Sequence, residues 1–216
     1  MAIYTKNGLE EIVDPVPSAG LVVRIIDSEY DLEKVLALRY KTYLDAGFYK
    51  SGGLKAVNGR EIPDRYEAHA TNIVLERDAK IIGAIRIIGD SDAGLPADKL
   101  YDCTQLRNNG AIIAEPSRFA VDPKAQGSHL SDILLQAMRQ YALETGITDY
   151  VFSARPHQQE YYERFGAVAV TGILYHDDAK VPAIGFHWNI AATNKSFAER
   201  WDSTPLPRLT MVQAHA

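Results

Sequence analysis

The 216-residue chain has a single cysteine, no long apolar run and no excess of positive charge. Cys103 alone cannot form a disulfide within the chain, which is typical of proteins from a reducing compartment. No stretch approaches the ~18 consecutive apolar residues that span a membrane, and the polar N-terminus is unlike a signal peptide. The formal net charge of -5 disfavours a protein that coats nucleic acid. We therefore expect a cytoplasmic protein with no membrane span and no nucleic-acid partner.

The composition is that of an ordinary globular protein. Hydrophobic residues make up 46% of the chain and charged residues 24%, as in most folded soluble domains. The length suits one substantial hydrophobic core, and no repeat or low-complexity segment divides it. We expect a single domain over residues 1–216, with an N-terminal arm over 1–20 and a C-terminal tail over 191–216. The sequence does not predict an oligomeric state.

The hydrophobic pattern changes between strand and helix periods along the chain. Runs rich in β-branched residues predict strands, whereas apolar residues three and four apart predict amphipathic helices. Strands are expected at 21–26, 72–76, 81–88, 112–121, 149–153, 168–175 and 184–190, and helices near 32–43, 130–141, 158–165 and 196–201. Segment 48–64 carries glycine, lysine and proline without a period and is expected to form a mobile loop. This order predicts a mixed α/β protein.

The segment from Ala111 to Ala142 organises the chain as a strand, a glycine-containing loop and an amphipathic helix. Backbone N–H groups at the start of such a helix, together with its dipole, can hold an anion. Glu115 and Arg118 interrupt the otherwise apolar strand, where a charge is costly unless it is paired. Two explanations stay open for Glu115: a structural ion pair with Arg118 or Arg86, or a group that takes a proton from an amine or orients it.

The sequence from Glu115 to Asp122 follows the pattern E-x-S-R-F-A-V-D. It resembles the signature of acyl-homoserine-lactone (autoinducer) synthases and of the related long-chain N-acyl amino acid synthases. Those enzymes belong to the GNAT acyltransferase superfamily and take acyl groups from acyl carrier protein. The resemblance implies an α/β GNAT fold, with a twisted, mostly antiparallel mixed sheet and helices on both faces. The stretch from Tyr161 to Gly166 is similar to a turn common in GNAT proteins.

The resemblance also implies roles for charged residues that follow one another along the chain. The catalytic positions are matched by Glu115, Arg118 and Arg86. Positions that shape the acceptor and phosphopantetheine region are matched by Arg39, Asp64 and Glu67. The arginines would organise the acidic residues, and a bidentate guanidinium suits the carboxylate or carbonyl of an acceptor. The segment from Asp64 to Glu67 departs from the family's D-x-Y-D pattern at its last residue.

The loop before the central helix resembles the GNAT pyrophosphate loop, Q/R-x-x-G-x-G/A, but has His129 and Ser131 in place of its later glycines. The residues expected to hold the donor arm and its phosphate are Val121, Gln126, Gly127, Ser128, His129 and Leu130. Loss of the glycines restricts close backbone approach and favours the single phosphate of a carrier protein over CoA. A loop that tolerates side chains is the alternative, so both donors stay open.

A hydrophobic tunnel beside the central strand would take the acyl chain, with core packing as the alternative role for its candidate walls Phe119, Leu134, Met138 and Phe152. The donor substrate would be acyl-phosphopantetheine on acyl carrier protein, or acyl-CoA, and the acceptor a small-molecule amine. Basic residues that could dock an acidic carrier protein are Lys124, Arg139 and Arg155. We expect no permanently bound cofactor and no metal site, because no Cys, His and acidic cluster has ligand spacing.

The sequence therefore predicts an acyltransferase that moves a medium or long fatty acyl group from acyl carrier protein or acyl-CoA to the amine of an amino acid. The two tryptophans, Trp188 and Trp201, lie late in the chain, unlike those of autoinducer synthases. Three alternatives stay open: an acyl-homoserine-lactone synthase that uses S-adenosylmethionine, an acetyl-CoA-dependent N-acetyltransferase, and a non-catalytic acyl-binding module.

Overall fold

The computed structural model describes residues 20–50, 52–125, 129–176, 180–204, 206 and 209–210. The strands are β1 Leu21–Ile25, β2 Ala56–Val57, β3 Arg60–Glu61, β4 Ala70–Arg77, β5 Lys80–Gly89, β6 Ile113–Val121, β7 Asp149–Ala154, β8 Val168–Ala169, β9 Leu174–His176, β10 Val181–Asn189 and β11 Leu209–Thr210. The helices are α1 Glu29–Asp45, α2 Thr104–Asn108, α3 Leu130–Thr145, α4 Gln159–Glu163 and α5 Lys195–Ser203.

One large sheet has the order β11-β1-β4-β5-β6-β7-β10-β8, and β9 pairs with the first residues of β10. The pairs β6–β7 and β1–β11 are parallel, and the other described pairs of this sheet are antiparallel. β2 and β3 form a separate small hairpin. The predicted mixed, mostly antiparallel sheet is confirmed.

Helices cover both faces of the sheet because its strands alternate apolar side chains between the faces. On one face Leu134 and Met138 of α3 pack with Ile87 of β5 in the largest buried cluster. On the other, Val35 of α1 packs with Ala84 of β5 in a smaller one. The predicted helices on both faces are therefore confirmed, and β5 and β6 lie between them.

β6 and β7 form a ladder only where they begin. Ile113 pairs with Asp149 and Ala114 with Tyr150, and beyond these two pairs the described strands form no ladder with each other. Residues 115–121 and 151–154 therefore border a wedge that opens toward the start of α3. The two strands are therefore splayed, with Glu115 directly after the vertex of the wedge.

The structure also differs from the predictions. Segment 48–64 contains the β2–β3 hairpin, and the predicted strand over 168–175 is divided into β8 and β9. The turn predicted at 177–178 lies outside the described residues, as does nearly all of the predicted arm over 1–20. The predicted late helix is confirmed as α5, whose Trp201 is buried in the core. No helix among the described residues is long and apolar enough to cross a membrane.

Candidate active site

A bulge in β6 aims two consecutive polar side chains at the α1 face. Arg86 of β5 pairs with Ser117 and Ala84 with Ala120, so β6 has one more residue than β5 between these pairs. The extra residue is accommodated by Arg118, whose φ of 54° is in the left-handed region. The Tyr43 hydroxyl of α1 donates to the Phe119 carbonyl at 3.0 Å and holds the bulge. Ser117 and Arg118 can therefore both engage polar groups on this face.

Arg86 is the centre of an ion network on the α1 face. Its guanidinium donates to both carboxylate oxygens of Asp64 at 2.8 and 3.0 Å, and to Glu67 at 2.9 Å. Its Nε donates to the Ser117 hydroxyl at 3.0 Å. Only 1% of the Arg86 side chain is exposed, so these bonds replace the hydration of a buried charge.

Arg118 and Arg39 extend the network at its two ends. Arg118 donates to Glu61 at 2.6 Å and to Asp64 at 3.2 Å. Arg39, which is fully buried, donates to Glu67 at 3.1 Å and to Asn72. The network thus joins three guanidinium groups to three carboxylates, those of Glu61, Asp64 and Glu67. The predicted substrate-binding and catalytic residues other than Glu115, Phe119 and Phe152 meet here.

Two carboxylates of the network, those of Asp64 and Glu67, have lowered pKa values and stay ionised at neutral pH. Burial by itself would raise the pKa of Asp64, but hydrogen bonds and charge from Arg86 outweigh it, so the pKa is lowered. Glu67 follows the same pattern, with Arg39 and then Arg86 as the opposing charges, and its pKa is also lowered. A paired network of this kind can bind and orient a substrate, but its carboxylates are weak bases.

The pKa of Glu115 is changed in the opposite direction to those of Asp64 and Glu67. Its side chain accepts from the Ala97 backbone N–H at 2.6 Å, and among the described residues neither Arg86 nor Arg118 forms an ion pair with it. Burial raises its pKa to about 8, a change that the Ala97 bond and the two arginine charges reduce. Of the two explanations left open for Glu115, the ion pair with Arg118 or Arg86 is therefore not formed among the described residues. Its carboxyl is instead buried with a pKa close to neutral, which suits proton transfer.

Cys103 lies in the small apolar cluster that also holds Ala97, Ile88 and Ile113. Burial raises the pKa of its thiol to about 12, so little thiolate forms at neutral pH. Cys103 is therefore a weak nucleophile at neutral pH.

The residues predicted to hold the donor arm are divided between buried and exposed positions, and some lie outside the described residues. Val121 is buried and its carbonyl accepts from the Thr42 hydroxyl at 3.4 Å. Gln126, Gly127 and Ser128 lie outside the described residues. His129 is exposed beside the start of α3, whereas the Leu130 side chain is fully buried in the core. Leu130 can therefore face a donor only through its backbone.

The four predicted tunnel walls share the α3 face. Leu134, Met138 and Phe152 are buried in the large cluster and Phe119 packs against it. Phe152 stacks on Phe186 with ring centroids 5.3 Å apart. Phe119 and Phe152 come from the two strands that border the wedge. Apolar side chains thus line its α3 face, whereas the ion network lies on its α1 face.

A sequence profile of the family described as N-acyl amino acid synthase FeeM matches residues 34–189, about 72% of the chain. The chain belongs to the FeeM family of N-acyl amino acid synthases. This range contains β6, the network and Glu115. A search of curated protein sequences gave no significant match.

Solved structures show the same fold at low sequence identity. FeeM, an N-acyl amino acid synthase from uncultured soil microbes, aligns with a TM-score of 0.66 at 23% identity, over 79% of this chain and 91% of FeeM. BjaI, a CoA-dependent acyl-homoserine lactone synthase, aligns with a TM-score of 0.66 at 15% identity, over 90% of this chain and 96% of BjaI. An acyl-CoA N-acyltransferase from Pseudomonas aeruginosa aligns with a TM-score of 0.55 at 22% identity, over 78% of this chain and 99% of the other. This chain therefore has the GNAT fold, and its family identifies it as an N-acyltransferase.

Three polar residues near the network were not predicted as site residues from the sequence of this FeeM-family chain. Glu61 falls in the predicted loop, and its partner Arg118 is 57 positions later in the chain. Asn72 bonds both Arg39 and Glu67 from inside β4. Tyr43 lies in the predicted helix over 32–43, where its spacing suits an apolar position. The polar Asn72 within an apolar strand was the one available signal, because the other two contacts depend on the tertiary fold.

Proposed function

We propose that this chain moves a medium or long fatty acyl group from acyl carrier protein or acyl-CoA to the amine of an amino acid. The observation that carries the proposal is the wedge between β6 and β7, with apolar residues on one face, charged residues on the other and Glu115 at its vertex. The donor arm would lie along residues 115–121, where its amides can pair with strand backbone. The acyl chain would extend over Phe119 and Phe152.

The reaction needs no covalent enzyme intermediate. The amine nitrogen attacks the thioester carbon, a C–N bond forms, and the C–S bond breaks to release the pantetheine thiolate. An acceptor that arrives with an ammonium group first loses one proton to solvent. The attacking nitrogen then loses a second proton as the amide forms, and the thiolate gains one. Glu115, whose pKa of about 8 leaves part of it ionised at neutral pH, would in that form accept the proton from the nitrogen and supply it to the thiolate. Arg118 would hold the carboxylate of the acceptor, since its side chain is 21% exposed.

The donor's identity rests on the loop before α3. A family member that uses acyl carrier protein needs a surface for an acidic partner, and Lys124 and Arg155 are the basic candidates near the opening of the wedge. BjaI is described as CoA-dependent and was solved with isopentyl-CoA, so the fold accepts that donor in a relative. We favour the carrier protein because the loop lacks both later glycines.

Mass spectrometry of lipid extracts from a bacterial host that expresses the chain tests the proposal. Glu115→Gln is the test variant, and Glu76→Gln is the matched control, because Glu76 pairs with Arg24 two strands away from β6. We expect new fatty acyl amino acids from the wild type and the control, and none from Glu115→Gln. Acyl lactones would indicate an autoinducer synthase, and acetylated amines an acetyltransferase. A soluble, folded protein that yields no acylated product would refute the proposal.

A further inference from the structure

Glu61 carries a buried carboxylate oxygen without a partner. It lies on β3, whose hairpin packs against α1, and its side chain is 2% exposed. One oxygen, Oε1, accepts from Arg118 Nε at 2.6 Å. The other, Oε2, is buried and receives no hydrogen bond from any described residue. An unsatisfied buried acceptor costs roughly 1–3 kcal/mol, and more when it is charged, so such an atom calls for a donor.

Tyr49, whose ring packs against Tyr40 of α1 with centroids 5.2 Å apart, carries a second buried polar atom of this kind beside the helix that the hairpin also contacts. Its hydroxyl is buried without a partner among the described residues. Burial raises the pKa of Tyr49, the Glu61 carboxylate raises it further, and the Arg118 charge partly opposes both. The phenol therefore stays neutral and lies within the field of the Glu61–Arg118 pair. It can donate one hydrogen bond and accept another.

These atoms border the part of β6 that carries the bulge. Arg118 connects Glu61 to the strand, and the Tyr43 hydroxyl holds the next residue, Phe119. The donor arm proposed above would lie on the same stretch of β6, so a molecule held between Glu61 and Arg118 would face the thioester from the α1 side. An ammonium group offers three hydrogen-bond donors and a positive charge, which is what Glu61 Oε2 lacks.

We propose that Glu61 and Tyr49 bind the amino group of the acceptor, while Arg118 binds its carboxylate. The acceptor class is then a zwitterionic α-amino acid, including a larger molecule with such an end, and simple amines and N-blocked amino acids are excluded. This inference rests on the proposed acyltransfer but makes its own claim about binding. Because Glu61 is the sole carboxylate of the network with an unbonded buried oxygen among the described residues, it sets the preference for the amino group.

Binding can be measured without turnover. The full chain is heated with each of the 20 standard amino acids at 10 mM, and the midpoint of thermal unfolding is recorded. Each amino acid that raises the midpoint is compared with its N-acetyl derivative and with the amine that lacks its carboxylate. We expect neither derivative to raise the midpoint. No shift with any amino acid, or an equal shift with the N-acetyl derivative, would overturn the inference.

Steady-state kinetics of two variants then test whether Glu61 and Tyr49 bind the amino group of the acceptor. With whichever donor supports turnover, acylated carrier protein or acyl-CoA, and release of free thiol as the readout, Glu61→Gln should raise KM for the amino acid about 10- to 100-fold, as expected for a hydrogen bond to a charged group. Tyr49→Phe should raise it about 3- to 10-fold, as for a neutral hydrogen bond. KM for the acyl donor should change less than twofold in both variants, and Glu76→Gln should match the wild type. If the Tyr49 hydroxyl instead bonds Glu61 in the ligand-free protein, the variants will lose stability with an unchanged acceptor KM, and the inference fails. Thermal shifts without turnover from either donor would refute the acyltransfer and leave the binding site standing.

Discussion

The buried carboxyl of Glu115 should make the stability of this protein fall as pH rises, and Glu115→Gln should remove that dependence. The pKa of Glu115 is raised from its ordinary 4.5 to about 8, so the folded state holds a proton that the unfolded state releases. The contribution is fully present below pH 4.5 and is lost progressively as pH rises to about 8. A glutamine keeps an oxygen for the Ala97 N–H and carries no charge at any pH.

The size of this pH dependence follows from the difference between the folded and unfolded pKa values of Glu115. Between pH 5 and pH 8 the wild type should lose about 1.4 kcal/mol of unfolding free energy per pH unit relative to the variant. The full difference is roughly 5 kcal/mol as an upper bound, because water that enters the site on ionisation reduces the penalty. Above pH 8 the difference should level off.

Urea unfolding of both proteins at pH 5, 6, 7, 8 and 9 is the assay. The comparison cancels the contributions of Asp64 and Glu67, whose lowered pKa values give the opposite pH dependence at lower pH in both proteins. A free-energy difference between the two proteins that stays constant from pH 5 to pH 9 would show that Glu115 ionises normally. The proton-transfer role proposed for it would then lose its physical basis.

Three further substitutions test other parts of the site. Arg86→Met leaves Asp64 and Glu67 without their central partner and should lower the unfolding free energy in urea by about 3 kcal/mol, whereas an unchanged value would mean that the network is not formed. Tyr43→Phe removes the hydrogen bond that holds the bulge and should cost about 1 kcal/mol and raise KM for both the acyl donor and the acceptor, because Arg118 is the bulged residue, whereas unchanged KM values would mean that the bulge does not position Arg118. Phe152→Ala opens space in the α3-face core and should cost about 3 kcal/mol while lengthening the acyl chains found by mass spectrometry, and unchanged chain lengths would exclude Phe152 from the tunnel.

The spacing of apolar residues was sufficient to predict the central strand β6 and the central helix α3. The apolar positions of α3 recur at helical spacing and do face a core, and the strand signal of β6 was correct within one residue at its start. β2 and β3 could not be predicted, because two-residue strands have no periodicity to detect. The hairpin they form matters because it delivers Glu61 to Arg118.

The bulge and the partner of Glu115 were beyond prediction for a related reason. The bulge places the adjacent polar residues Ser117 and Arg118 on one face, but two polar neighbours in a strand are also compatible with ordinary alternation, so the sequence did not mark Arg118 as the bulged position. Ala97 belongs to a loop-rich segment over 89–110 that folds over β6 only in the tertiary structure. Sequence spacing named the charged residues that meet, but not which of them pair.

That pairing explains why neighbouring carboxyl groups on one face have opposite pKa changes. The network contains three arginines and three carboxylates, so its charges compensate one another, and the pKa values of Asp64 and Glu67 are lowered. Glu115 is the next carboxyl along this face. The hydrogen bonds that Arg86 and Arg118 donate to carboxylates go to other residues of the network and not to Glu115. Its ionisation would add an uncompensated negative charge to a buried site, so it keeps its proton to about pH 8. The fold thus keeps Asp64 and Glu67 charged and Glu115 neutral, which is the division that the proposed binding and proton-transfer roles require.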